Sequence, residues 1–193
     1  MPLDSLKAFT DRIQPLSAPD WEVFAALWQP FDCKRKTLLT APGETERYLY
    51  FVLDGVQRSY YLSPSGKEST IVFTYPHSFS GVADSFLTQT PARFTFETLT
   101  ASSFLRTSHT QLALLMKERQ GVQALVLQTT AFVLKGVLER MAEQQTATAE
   151  EKFRALLARS PHLLNLIPHK YLASYLGVDA ATFSKLLGTV RIG

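Results

Sequence analysis

Cysteine occurs once in the 193 residues, at Cys33. The chain therefore has no internal disulfide, no four-cysteine iron–sulfur cluster of its own and no cysteine-rich zinc finger. Histidine is nearly as scarce: His77, His109, His162 and His169 fall at no metal-ligand spacing. Haem or zinc is unsupported, and a cupin-like enzyme would lack its ligands. GxGxxG, a phosphate-loop lysine motif, GxSxG and HExxH are also missing, so no enzyme signature is present. No unbroken apolar run approaches the ~18 residues that span a bilayer. The N-terminal stretch MPLDSLKAFTDRIQPL carries an early Asp4 on an amphipathic pattern, unlike a signal peptide or anchor. These absences lead us to expect a cytoplasmic, non-enzymatic chain with no membrane partner.

What remains is globular. Hydrophobic residues make up 46%, with 9 Gly and 10 Pro, which excludes collagenous, low-complexity and disordered classes. No internal repeat is visible. A net charge of +3 is mildly basic. It permits an acidic polymer as partner without demanding one, so the placement of charge must decide.

The chain is organised around Gly121 to Gln145, which reads as one long helix. Val122, Val126, Thr129, Val133 and Gly136 trace one apolar stripe; Leu127, Thr130, Leu134, Val137 and Met141 trace another, widened by Leu125, Phe132 and Leu138. One stripe can cover its own domain. The second runs for about 36 Å and needs another partner, most simply the same helix of a second copy. A central helix buried inside one monomeric domain is the alternative.

Before it, Leu3, Leu6, Phe9 and Ile13 predict a first helix. Ser17 with Asp20 resembles a capping box for a second, carrying Trp21, Phe24, Leu27 and Trp28. From Phe31 to Ser108 the period is that of strands. YLYFVL and VQRSYYL flank Asp54-Gly55, a hairpin signal; Ser63 to Gly66 make the next turn; STIVFTY, RFTFETL and SFLRTS follow. Many short strands predict an antiparallel barrel or roll. Its longest structureless segment, Pro76 to Ala92, is the expected place for a small ligand. Cys33 beside Lys34, Arg35 and Lys36 invites a lowered thiol pKa, but it reads first as a small buried hydrophobe.

After it, Thr148 with Glu151 predicts a capped helix whose inner face is Phe153, Leu156 and Leu157. Pro161 ends that helix and Pro168 opens the next. Residues His169 to Gly188 fit a helix-turn-helix. Ala173 is small where the second helix crosses, Gly177 suits a left-handed turn, and Leu172, Leu176, Val178, Phe183 and Leu186 glue the pair. An ordinary αα corner is the bland alternative.

On YLYFVLDGVQRSYYLSPSGKESTIVF and IPHKYLASYLGVDAATFSKLL, essentially the whole chain resembles the CRP/FNR superfamily of bacterial transcription regulators. The resemblance implies an α+β fold. An N-terminal antiparallel β-roll, the cyclic-nucleotide-binding-like jelly roll with flanking helices, would occupy 1–120. A long dimerisation helix would span 121–147, and a small all-α helix-turn-helix domain without a full wing 148–193, because the chain ends at Gly193 soon after that helix.

The same resemblance implies a homodimer on double-stranded DNA, joined through Val126, Leu127, Thr130, Val133, Leu134, Val137 and Met141. The recognition helix would be Ala180 to Val190, with Ala180, Thr182, Ser184 and Lys185 towards the major groove and His169 and Lys170 at the phosphate backbone. Asp179-Ala180-Ala181 lacks the Arg-Glu pair that many relatives use on base edges, so relaxed specificity is expected. Lys152, Arg154, Arg159, Lys170, Lys185 and Arg191 against Glu150, Glu151 and Asp179 leave this domain positive.

For the ligand, the resemblance implicates Phe79, Gly81, Val82, Ala83, Arg93 and Phe94. Val82 and Ala83 stand where cyclic-nucleotide binders carry the ribose-binding glutamate and its leucine, and valine cannot accept that hydrogen bond. No cofactor is assigned. An unidentified apolar or aromatic effector in a valine-lined pocket, or none, is expected in place of cyclic AMP or cyclic GMP. A sensor whose degenerate helix-turn-helix contacts a protein instead of DNA is the rival reading.

Overall fold

The computed structural model describes residues 2–190. Helix α1 (Pro2–Ile13) leads to α2 (Ala18–Ala25), whose first turn is capped by the Ser17 hydroxyl accepting from the Asp20 N–H at 3.2 Å. The Asp20 carboxylate pairs with Arg119 at 3.7 Å. Helix α2 stops at Ala25, so Leu27 and Trp28 follow in a turn rather than on the helix.

Among the described residues eight strands build two four-stranded antiparallel sheets. They are β1 (Gln29–Cys33), β2 (Leu38–Thr40), β3 (Tyr48–Asp54), β4 (Gln57–Leu62), β5 (Glu68–Thr74), β6 (Phe79–Ser80), β7 (Thr95–Thr98) and β8 (Ser102–Ser108). One sheet has the order β1-β8-β3-β6, the other β2-β7-β4-β5. Alternation along β3 explains how the roll is filled. Tyr50 and Val52 face its interior with Phe31, Phe96 and Phe104. Leu49, Phe51 and Leu53 face outward into a layer made by Phe9, Phe24, Trp28, Leu112 and Val122.

The expected hairpin at Asp54-Gly55 is not one. Strand β3 pairs with β6 and β8, while β4 pairs with β5 and β7, so the turn carries the chain from one sheet to the other. A dipeptide that suits positive φ marks a sharp turn, not the strands that pair across it. Gly55 has φ +89°, and a Cβ there would run into the Ala101 carbonyl oxygen and the Ser102 hydroxyl. The β4–β5 connection through Ser63 to Gly66 is a true hairpin, closed by the Gly66 N–H to the Ser63 carbonyl at 2.9 Å.

The segment expected to be structureless contains β6 and a short helix, α3 (Ala83–Thr88), ended by Gln89 in the left-handed conformation. Helix α4 (His109–Glu118) is capped by Ser108. After a break at Arg119 the chain enters α5 (Gln120–Thr146). Only Val122 and Leu125 of this helix are buried, and every residue from 131 to 139 is exposed. Full burial of the inward stripe is therefore confined to its first turns. By length and mean hydropathy α5 is long and apolar enough to cross a membrane. Counting unbroken apolar runs missed this because Gln128, Thr129, Thr130 and Lys135 interrupt it.

Helix α6 (Ala149–Arg159) opens with the full Thr148–Glu151 capping box. A short α7 (Leu163–Leu166), unforeseen in the sequence, precedes α8 (His169–Leu176) and α9 (Ala180–Thr189). Phe153, Leu156, Leu172, Leu176, Phe183 and Leu186 pack together, and Val56, Phe73 and Leu99 of the roll join the same cluster.

Candidate ligand cavity and nucleic-acid-binding surface

A cavity of about 210 Å³ lies between the roll and the long helix. Val72 and Thr74 of β5 wall one side; Val126, Thr129, Thr130 and Val133 of α5 wall the other. Phe79, Gly81 and Ala83, three of the six ligand residues expected from the sequence, border it. The Thr129 hydroxyl is buried here without a hydrogen-bond partner, in a lining that is largely apolar but also includes Thr74, Ser80 and Thr130. The other three residues lie elsewhere. Val82, 3% exposed, packs into the roll interior beside Ala92. Arg93 is exposed and has no partner among the described residues. Phe94 sets its ring edge-on to Tyr61.

The residue that sequence reasoning missed is Glu46. The residue is 2% exposed, and its carboxylate accepts from the Thr40 hydroxyl at 2.7 Å, the Tyr48 N–H at 3.2 Å and the Val82 N–H at 3.2 Å. Burial pushes its pKa up, and the Thr40 and backbone donors pull it part of the way back. The N–H of Val82 is thus held by the chain's own anion. No sequence signal marks Glu46, which sits in the polar loop GETER. Burial also raises the Cys33 thiol, which Asp32 reinforces, so the neighbouring cations do not make it a thiolate.

In the C-terminal helices, Gly177 takes φ +71° between α8 and α9, and Ala173 is 4% exposed where they cross. Asp179 caps α9 by accepting from the Thr182 N–H at 2.7 Å, and these donors hold its carboxyl below the usual range. The Thr182 hydroxyl also donates to Asp179, at 3.1 Å. Ala180, Ser184 and Lys185 are exposed on α9, and His169 and Lys170 at the start of α8. The His169 ring leans on Phe183, and the Lys170 ammonium lies 4.6 Å from the centre of the Tyr171 ring. Arg191, counted among the cations of this region, lies outside the described residues.

Along α5, Leu127, Val133, Leu134, Val137 and Met141 stand exposed in one long apolar surface. Val126 is partly buried against the roll, and the Thr130 hydroxyl bonds back to the Val126 carbonyl at 2.8 Å.

Residues 31–119 match the cyclic nucleotide-binding domain family. A search of curated proteins gives no significant match. Among solved structures the chain is similar to FixK2 from Bradyrhizobium japonicum, with 20% identity, 83% of each chain covered and a TM-score of 0.72. A transcriptional regulator of the CRP/FNR family from Eubacterium rectale shares 16% identity over 92% of this chain and 88% of its own, with a TM-score of 0.72. The Catabolite Activator Protein of Thermus thermophilus shares 19% over 92% and 88%, with a TM-score of 0.57. Residues 31–119 therefore form a cyclic nucleotide-binding domain, and the chain around them has the fold of the CRP/FNR transcription regulators.

Proposed function

We propose that this protein is a cytoplasmic, homodimeric transcription regulator. Two α5 helices pair through their exposed stripe, and two α9 helices enter successive major grooves of a palindromic operator about 34 Å apart. The observation that carries this reading is the joint presence, in one chain, of an uncovered apolar helix surface and a helix pair turned at a left-handed glycine. Ser184 and Lys185 are the groups on α9 free to reach DNA, with His169 and Lys170 against phosphates. The effector state of the roll would act through α5, which walls the apolar cavity.

Cyclic nucleotide is not the effector in this reading. Val82 offers no carboxylate to a ribose hydroxyl, its N–H is already bonded to Glu46, and Arg93 stands exposed while Ala92 packs inward. The cavity suits a small apolar or aromatic molecule with one polar group to meet the Thr129 hydroxyl.

A second reading, a sensor whose C-terminal helices contact a protein, draws on the Thr182 hydroxyl being tied to Asp179, which leaves few groups for base edges. Selection from random duplex DNA by the purified protein at physiological salt separates the two. An enriched two-fold-symmetric site is expected; weak binding that vanishes as salt rises, with no enrichment, would favour the protein-contacting sensor.

A further inference from the structure

We propose that the open end of the β-roll is a second binding site, built for a small organic anion with a carboxylate or phosphate head. A cavity of about 510 Å³ opens there between β1, β2, β3 and β8, and it shares no lining residue with the cavity beside α5. That volume suits a small molecule, whose sites run from about 300 to 1,000 Å³.

The electrostatics of the cavity point to an anion. Arg106 on β8 is half-buried, its guanidinium 3.9 Å from the centre of the Phe31 ring and 4.4 Å from that of Tyr48. Ring faces hold the guanidinium plane in place but accept none of its N–H groups in line, and no carboxylate or carbonyl among the described residues does so. A guanidinium fixed in this way is prepared for a two-pronged contact with a planar or tetrahedral anion. Tyr50 adds a second donor. It is 3% exposed, lines the same cavity, and its hydroxyl has no hydrogen-bond partner among the described residues. Burial, with Glu46 nearby, raises the Tyr50 pKa, so the phenol keeps its proton to donate.

The carboxylates at the cavity do not cancel this. Glu46 is held by Thr40, Tyr48 and Val82, and Glu44 accepts the Ala41 N–H at 2.9 Å within its own loop. Neither bonds Arg106.

The test uses the full chain and two probes, benzoate and phenyl phosphate, titrated at constant ionic strength against sodium chloride and followed by calorimetry and thermal shift. Saturable binding of benzoate assigns a carboxylate ligand, and saturable binding of phenyl phosphate a phosphate ligand. Arg106→Gln is expected to weaken either at least about tenfold, and Tyr50→Phe about fivefold, as loss of one neutral donor predicts. Arg93→Gln should leave binding unchanged. If circular dichroism finds Arg106→Gln unfolded, Tyr50→Phe, which keeps the ring packing, decides. No saturable binding of either probe up to roughly 10 mM, or unchanged affinity in the folded variants, overturns the site. No DNA enters this measurement, so its failure leaves the regulator reading untouched, and failure of that reading leaves this site standing.

Discussion

The Ser174 hydroxyl on α8 accepts a hydrogen bond from the Thr70 N–H on β5 at 2.9 Å and donates to the Glu68 carbonyl at 3.2 Å. Strand β5 is the outer strand of its sheet, so the first helix of the C-terminal pair satisfies backbone groups that an edge would otherwise leave to solvent. Around this contact Phe73 meets the Tyr175 ring at 5.2 Å, and the Tyr75 and Ser160 hydroxyls lie 2.9 Å apart. The β-roll and the helix pair thus share side-chain and backbone contacts besides the α5 connection.

Ser174→Ala removes the acceptor for Thr70 and leaves its N–H unpaired. A loss of about 1 kcal/mol is expected, a fall in Tm of about 2–4 °C for a chain of this size. Amide exchange of Thr70 and of α8 should quicken while β3 and β8 stay protected. Unchanged exchange at Thr70 would show that the contact does not persist in solution.

Arg58 is the buried ion of the same interface. Its side chain is 3% exposed, pairs with Glu97 at 2.6 Å and Glu68 at 2.9 Å, and lies between the rings of Tyr60 and Tyr171 at 4.0 and 3.9 Å. Arg58→Met strands two carboxylates, one of them largely covered, and should cost about 3 kcal/mol by urea unfolding. Glu97→Gln added to that variant should recover part of the loss. A double variant no more stable than the single one would show that stranded charge is not the cause.

The features readable from sequence are those whose cause is local. Thr148 and Glu151 lie three residues apart and form their capping box; Gly177 and Ala173 sit within one turn of each other, and the corner forms there. Strand pairing is not local, so Asp54-Gly55 identified a turn and misassigned its partners. Ala92 and Arg93 lie in the irregular connection before β7, where no strand period fixes which side chain turns inward, so the sequence pattern could not place Arg93. Glu46 was invisible because its partners Thr40 and Val82 come from separate parts of the chain. Burial of the inward stripe on α5 gives way where a cavity separates Thr129 and Val133 from β5, a spacing that the helix pattern does not encode.

Glu46 has a pH signature. Its native pKa is raised above the ordinary 4.5, so the folded state holds the proton more tightly than the unfolded one. Its contribution to stability is complete below about 4.5 and drains away as pH rises through the raised native value, then stays flat. In Glu46→Gln this dependence should vanish, so the wild-type advantage over the variant should shrink as pH rises from roughly 4 to 7. A constant difference across that range would mean that Glu46 does not titrate with a raised pKa.

Leu134→Glu tests the proposed dimer with little interference from folding. Leu134 is 56% exposed in the single chain and lies in a stretch, 131–139, that is exposed throughout, so within a monomer the substitution should change stability by no more than about 0.5 kcal/mol. In a pair of α5 helices the same position would place two carboxylates in an apolar seam, without partners, at a cost of several kcal/mol. The wild-type chain is therefore expected to sediment at twice its 21.6 kDa and the variant at that mass, with unchanged helix content by circular dichroism. A variant that still sediments as a dimer would place the interface elsewhere, and the uncovered stripe from Leu127 to Met141 would then need a different partner.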